Sequence, residues 1–359
     1  MLCGVPGSEL DSESASVFRR VQPGGFILFQ RNIQSPLQFR KLIDDLRDLS
    51  STEPIITIDQ EGGRVSRLRE IGSEPPNAQQ LRDKGDPELV LRHGHITGRL
   101  LRLFGINLDL CPVLDISFDD DADNSLRGRC YGRNSDEVIR LAAQFNDGLR
   151  AEGVASCGKH FPGYSCATSD AHHGLPEVKR TREELDANEL AVFRHFVSKD
   201  QLDSMMMGHV IYPTLDAART PTSLSRAVIT DLLKNEMGFK GLVMTDDLDM
   251  GAIVNYCNLE QAISMAITAG NDLAMICHRI QCVEEAWKIL GNLPAAALDR
   301  AMEGVATFKK KFGPPDPFSM EEFQRRDAEV WQLRVDTLGA EKAKERSPDN
   351  VSRSPVETY

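Results

Sequence analysis

The eight cysteines of this 359-residue chain (Cys3, Cys111, Cys130, Cys157, Cys166, Cys257, Cys277 and Cys282) form no CxxC pair and no zinc-like spacing, and several sit inside apolar runs. They read as buried free thiols in a reducing compartment. No cationic segment followed by an apolar stretch opens the sequence, and no run of about eighteen apolar residues occurs anywhere, so neither a leader nor a membrane span is expected and the reading is cytoplasmic. An excess of positive charge is also missing. The net charge is -12, which disfavours nucleic acid and anionic membrane as partners, since both attract clustered Lys and Arg. No internal repeat and no low-complexity tract is present.

What remains is the composition of a soluble globular protein, 41% hydrophobic and 27% charged, with enough apolar residues for a sizeable core. Eight short apolar runs alternate with amphipathic segments: residues 2–6, 25–30, 55–59, 106–115, 155–161, 205–212, 242–247 and 273–278. They are apolar throughout instead of alternating, the pattern of parallel strands covered on both faces, and eight of them predict a closed (β/α)8 TIM barrel. Helix punctuation lies between them. Ser135 reads as a cap with Val138, Ala142, Phe145 and Leu149 on one face, and Thr181 with Glu184 and Asn258 with Gln261 read as capping boxes, while Gly238 and Gly270 fall where helices should end. The expected organisation is a barrel over 1–312, a C-terminal helical extension over 313–344 introduced by "GPPDPF", and a disordered tail over 345–359, rich in Lys, Glu, Ser and Pro.

In such a barrel the chemistry sits at the C-terminal ends of the strands. Polar residues are conspicuous there: Asp59, Asp115, the pair Lys159 and His160, His209, Asp246 with Asp247, and His278. Any one of them can simply cap a loop, and Lys159 with His160 can be barrel-end packing; convergence of several on one rim is what points to function. The stretch "KHFPGYSCATSDAHH", residues 159–173, adds a crowd of titratable groups that fits neither a helical nor a strand period.

That stretch, together with "IDQEGGRVSR" (58–67) and "GFKGLVMTDDLDMGA" (238–252), resembles glycoside hydrolase family 3, and within it the β-N-acetylglucosaminidase branch associated with peptidoglycan recycling. The likeness extends to "GFILFQRNI", "LCPVLDI", "GHVIYP" and "AGNDLAMICH", in order over roughly residues 1–310. The resemblance implies a cofactor-free hydrolase of N-acetylglucosamine-containing oligosaccharides. It implies Asp246 as the nucleophile that forms a glycosyl ester, with Asp247 supporting the turn, and His172 as general acid/base partnered by Asp170. Asp59, Arg67, Arg129, Lys159 and His160 match positions that hold the N-acetylglucosamine ring, and His209 of "GHVIYP" is grouped with them.

The chemistry is consistent with that division. A retaining glycosidase needs a carboxylate on one face of the sugar and a proton donor on the other. A histidine titrating near neutrality can protonate the leaving oxygen and then activate water, while an aspartate two residues away fixes its tautomer. Asp170, His172 and His173 are also ligand types for a metal, although adjacent histidines rarely point at one ion. Departures from the family pattern fall near the site: Tyr164-Ser165 stands where His-Gly is usual, Ala171 separates the dyad, and "RGRCYG" (127–132) lacks the acidic residue common before the arginine. Two other functions stay open, a β-N-acetylglucosaminide phosphorylase and a non-catalytic carbohydrate-binding barrel. Oligomeric state is left unknown.

Overall fold

The computed structural model describes residues 1–121, 125–164 and 175–347. Among these, eight parallel strands close into a barrel: β1 (Leu2–Gly4), β2 (Gly25–Leu28), β3 (Ile55–Ile58), β6 (Leu108–Asp109), β7 (Ala155–Phe161), β8 (Ser204–Met207), β9 (Leu242–Asp247) and β10 (Leu273–Ile276). A hairpin of β4 (Gln60–Gly62) and β5 (Val65–Ser66) follows β3 at the rim. The expected barrel is thus present, with β1 closing the ring between β2 and β10.

Each of the eight apolar runs contains a strand, but several strands are shorter than their runs. The run 106–115 holds the ladder only over Leu108–Asp109, with an isolated bridge from Val113 to Lys159 beyond it. Pro112 has no N–H to give, and the pairing with β7 goes on there only irregularly, Lys159 N–H to the Pro112 carbonyl at 3.2 Å and Leu114 N–H to the Lys159 carbonyl at 2.6 Å. The run 205–212 likewise leaves the sheet after Met207. One helix start also differs: Asn134, not Ser135, caps the helix Ser135–Ala151, its side chain accepting the Glu137 N–H at 3.0 Å. The capping boxes Thr181/Glu184 and Asn258/Gln261 are present, and Gly270 ends the helix Leu259–Ala269 with φ 126°.

The core has an inner and an outer layer. One apolar cluster draws on every barrel strand: Leu2, Ile27, Ile55, Leu108, Cys157, Met206, Met244 and Met275 are all buried in it. A set with a member from each strand of a closed barrel must be its interior. Phe308, from the helix Ala295–Lys309, packs below with Phe312, and Lys311 pairs with the buried Asp203 just before β8 at 2.7 Å. The outer layer packs the strands' other faces on the helices, for example Phe145 and Leu149 of Ser135–Ala151 with Leu101 and Phe104 of Pro87–Phe104.

The C-terminal helix Met320–Leu338 lies against Pro87–Phe104, with Phe104 meeting Phe318 and Phe323 at ring distances of 5.5 and 5.7 Å. Its Arg334 is buried and bonds Glu74 at 3.0 Å, a carboxylate that also takes Arg69 at 3.3 Å. Among the described residues no helix is long and apolar enough to cross a membrane.

Candidate active site

The turn after β3 creates the first half of the site. Gly62 and Gly63 take φ of 111° and 55°, and a Cβ on Gly62 would fall 2.3 Å from the Pro76 carbonyl oxygen. Glycine is therefore required at that turn, which folds the chain back as β4–β5 and presents Asp59, Glu61 and Arg67 together. Lys159 enters from β7, its side chain on the same face as Cys157 of the barrel interior. Its Nζ sits 2.7 Å from Asp59 Oδ1 and 2.7 Å from Glu61 Oε1. Arg129 grips Glu61 with two parallel bonds of 2.7 Å through Nε and Nη2, and donates from Nη1 to the Ser125 carbonyl at 3.0 Å. Arg67 Nη2 stands 3.5 Å from Asp59 Oδ2.

Burial opposes charge on Asp59, Glu61, Arg129 and Lys159, and mutual pairing overrides it. Lys159 and Arg67 hold the Asp59 carboxyl below its ordinary value against the cost of burial, and Arg129 with Lys159 does the same, more strongly, for Glu61. The two carboxylates in turn push the Lys159 ammonium up despite its burial. The result is three cations against two carboxylates, fixed in place before any ligand arrives.

His160, next along β7, turns to a different partner. Its Nδ1 donates to Asp115 Oδ2 at 2.7 Å and its backbone N–H reaches the same oxygen at 3.2 Å, which leaves Nε2 as the ring atom facing away from that carboxylate. The other oxygen of Asp115 accepts the Tyr164 N–H at 2.6 Å.

The second half of the site is the end of β9. Asp246 is half-buried and its Oδ1 accepts the N–H of Asp247 at 2.8 Å. Asp247 is buried, its Oδ1 accepting the N–H groups of Asp249 at 3.0 Å and Cys277 at 3.2 Å. Burial, with Asp249 nearby, pushes its carboxyl well above the usual range, so this residue supports the turn while its neighbour faces the mouth. His278 stacks on Phe29 at 5.0 Å and takes a 2.9 Å bond from Arg31 on Nδ1; burial and Arg31 bring it down to about 4.

The structure thus joins Asp59, Arg67, Arg129 and Lys159 in one contact network and sets His160 beside it. His209 departs from the expectation of a substrate contact. It is fully buried, with Nε2 donating to the Asp247 carbonyl at 2.8 Å and Nδ1 paired to Ser223 Oγ at 2.7 Å, so both ring nitrogens serve the protein. Asp170, His172 and His173 lie outside the described residues. Glu61 was missed from sequence: an acidic residue before two glycines reads as turn chemistry, and nothing local marks it as the partner of Lys159 and Arg129. Among the described residues no group of His, Cys, Asp or Glu could hold a metal ion.

A parallel barrel whose C-terminal rim carries a charged cradle on one side and a strand-end carboxylate on another defines a barrel enzyme acting on a small polar substrate. Residues 4–308 match the model of the glycosyl hydrolase family 3 N terminal domain. The chain is similar to the β-hexosaminidase of Vibrio cholerae serotype O1, with 35% identity over 330 residues covering 91% of this chain and 93% of that one. A glycoside hydrolase family 3 β-N-acetylglucosaminidase from a Paenibacillus species matches with TM-score 0.86 and 32% identity, over 94% of this chain and 67% of that chain. NagZ from Neisseria gonorrhoeae, solved with N-trifluoroacetyl-D-glucosamine, matches with TM-score 0.76 and 30% identity, over 93% and 97% of the two chains. The chain belongs to glycosyl hydrolase family 3 and is a glycosidase.

Proposed function

We propose that the protein is a retaining, exo-acting β-N-acetylglucosaminidase that releases terminal β-linked N-acetylglucosamine from muropeptide- or chitin-type oligosaccharides. The observation that carries this reading is Asp246, a half-buried carboxylate at the end of β9 held by a backbone N–H, at the rim that also holds the Asp59–Lys159–Glu61–Arg129 cradle. The names of the relatives supply the sugar.

In this mechanism the cradle binds the ring hydroxyls of the terminal sugar, with His160 Nε2 as a further contact. Asp246 attacks the anomeric carbon and the bond to the leaving oxygen breaks, giving a glycosyl ester. His172, oriented by Asp170, gives the leaving oxygen its proton, then takes one from the water that cleaves the ester. No cofactor enters these steps.

The alternative is release by phosphate: a histidine base, neutral when the second acceptor arrives, repels phosphate less than a carboxylate would, and the enzyme would then be a phosphorylase. Turnover of aryl β-N-acetylglucosaminide and aryl β-glucoside, each with and without phosphate, tests both points. The proposal expects the N-acetyl substrate to be strongly preferred and free N-acetylglucosamine to be the product in either buffer. Equal turnover of the two sugars contradicts the first point, and a sugar 1-phosphate product replaces hydrolysis with phosphorolysis.

A further inference from the structure

Beyond Met207 the chain leaves the ladder after one more main-chain bond, from the Gly208 N–H to the Phe161 carbonyl at 2.9 Å. Past that bond the two strand ends that carry His160 and Asp246 are connected by side chains as well. Tyr164 and His209 make the connection. Asp115 fixes the starting point, one carboxylate oxygen on His160 and the other on the Tyr164 N–H. The Tyr164 ring packs on His160 at 5.0 Å between centroids and covers Gly208, where a Cβ would come 3.1 Å from two of its ring atoms. Its hydroxyl accepts the backbone N–H of His209. The His209 ring then donates through Nε2 to the Asp247 carbonyl at 2.8 Å, with Ser223 Oγ on Nδ1 at 2.7 Å. Asp247 is held at both ends of its backbone, since its N–H is the donor that orients the Asp246 carboxylate at 2.8 Å.

We propose that Tyr164 and His209 are positioning residues, a hydrogen-bonded tether that holds the Asp246 carboxylate in register with the sugar-holding side of the rim. The inference rests on the reading of Asp246 as nucleophile. It assigns a purpose to the buried tyrosine at 164, and it gives His209 a role in the reaction without contact to substrate. A bound sugar spans both sides of the mouth, so a slack nucleophile strand misplaces the attacking oxygen by a fraction of an ångström, and loss of one such constraint slows attack without changing what the cradle binds.

The test measures the rate at which a mechanism-based fluoro sugar labels the enzyme, together with KM for an activated aryl N-acetylglucosaminide and the melting temperature. Tyr164→Phe deletes one hydroxyl and keeps the ring; labelling is expected to slow about five- to tenfold, the worth of one net hydrogen bond, with KM within about twofold. The amide of His209→Gln reaches the position of Nε2, whereas that of His209→Asn reaches only the position of Nδ1. His209→Gln should therefore label several-fold faster than His209→Asn. Wild-type labelling rate in Tyr164→Phe, or equal rates in the two His209 variants, overturns the tether. Peptide mapping keeps the two ideas apart: label on a residue other than Asp246 in the wild type defeats the nucleophile reading, while label on Asp246 with an unaffected Tyr164→Phe defeats the tether alone.

Discussion

On one side of the mouth, Lys159 lies 2.7 Å from each of two carboxylates and Arg129 doubles its grip on one of them. On the other, Asp246 takes its hydrogen bond from a backbone N–H, and the neighbouring Asp247 is pushed toward its neutral form by burial. Paired charges keep the cradle ionised and rigid at any working pH, which suits recognition of a neutral sugar by fixed donors and acceptors. A carboxylate bound to a guanidinium in that way has its lone pairs engaged and is a poorer nucleophile. In the proposed mechanism Asp246 is the attacking group; it is oriented by a backbone N–H, and its position would depend on how well the strand end is held.

The largest effect should come from breaking the cradle. Arg129→Ala removes the bidentate partner of Glu61 and leaves that buried carboxylate with Lys159. kcat/KM is expected to fall about 10²- to 10³-fold, equivalent to about 3–4 kcal/mol, with a lowered melting temperature. Unchanged kinetics in this variant would show that the cradle's charges are structural only.

A remote charge cluster sharpens the contrast. Arg334 and Glu74 are buried at 3.0 Å behind the segment that follows β5, far along the chain from Asp246. Arg334→Met leaves the Glu74 carboxylate with Arg69 and Ser347 alone and should cost about 2 kcal/mol of stability, read by denaturant unfolding, while kcat per titrated site stays within about twofold. A large loss of kcat per site would mean that the C-terminal helix shapes the mouth as well as the fold.

The smallest effect concerns Asp109, buried between strand and helices with Oδ1 on the Gln60 N–H at 3.0 Å. Burial raises its carboxyl from 3.8 to about 7. Between those values the folded protein holds a proton that the unfolded chain has released, so stability falls as pH rises through about 7. The Asp109 contribution amounts to about 2 kcal/mol between pH 5 and 7. In Asp109→Asn this part of the pH dependence should vanish; an unaltered slope assigns the titration elsewhere.

The eight strands were legible because buried parallel strands are apolar throughout, and their order needed nothing more. Their ends were not, since a sequence run does not say where regular pairing stops, after Asp109 in 106–115 and after Met207 in 205–212. In the site, Asp59, Arg67, Arg129 and Lys159 could be named from motifs and do meet in space. Glu61 could not, because its role exists only once two distant cations converge on it. His209 shows the reverse error: a polar residue near a strand end advertises the rim, but the direction of its ring is set by Ser223 and the Asp247 carbonyl, which lie 14 and 38 positions away.

In the proposed reaction two sides of one mouth divide the work, with Asp246 as the attacking group. Incubation with a 5-fluoro N-acetylglucosaminyl fluoride, proteolysis and mass spectrometry of the labelled peptide test it directly. One equivalent of sugar is expected as an ester on Asp246, and none in Asp246→Asn; label on Asp247, on Asp59 or on any other residue would overturn the assignment of Asp246.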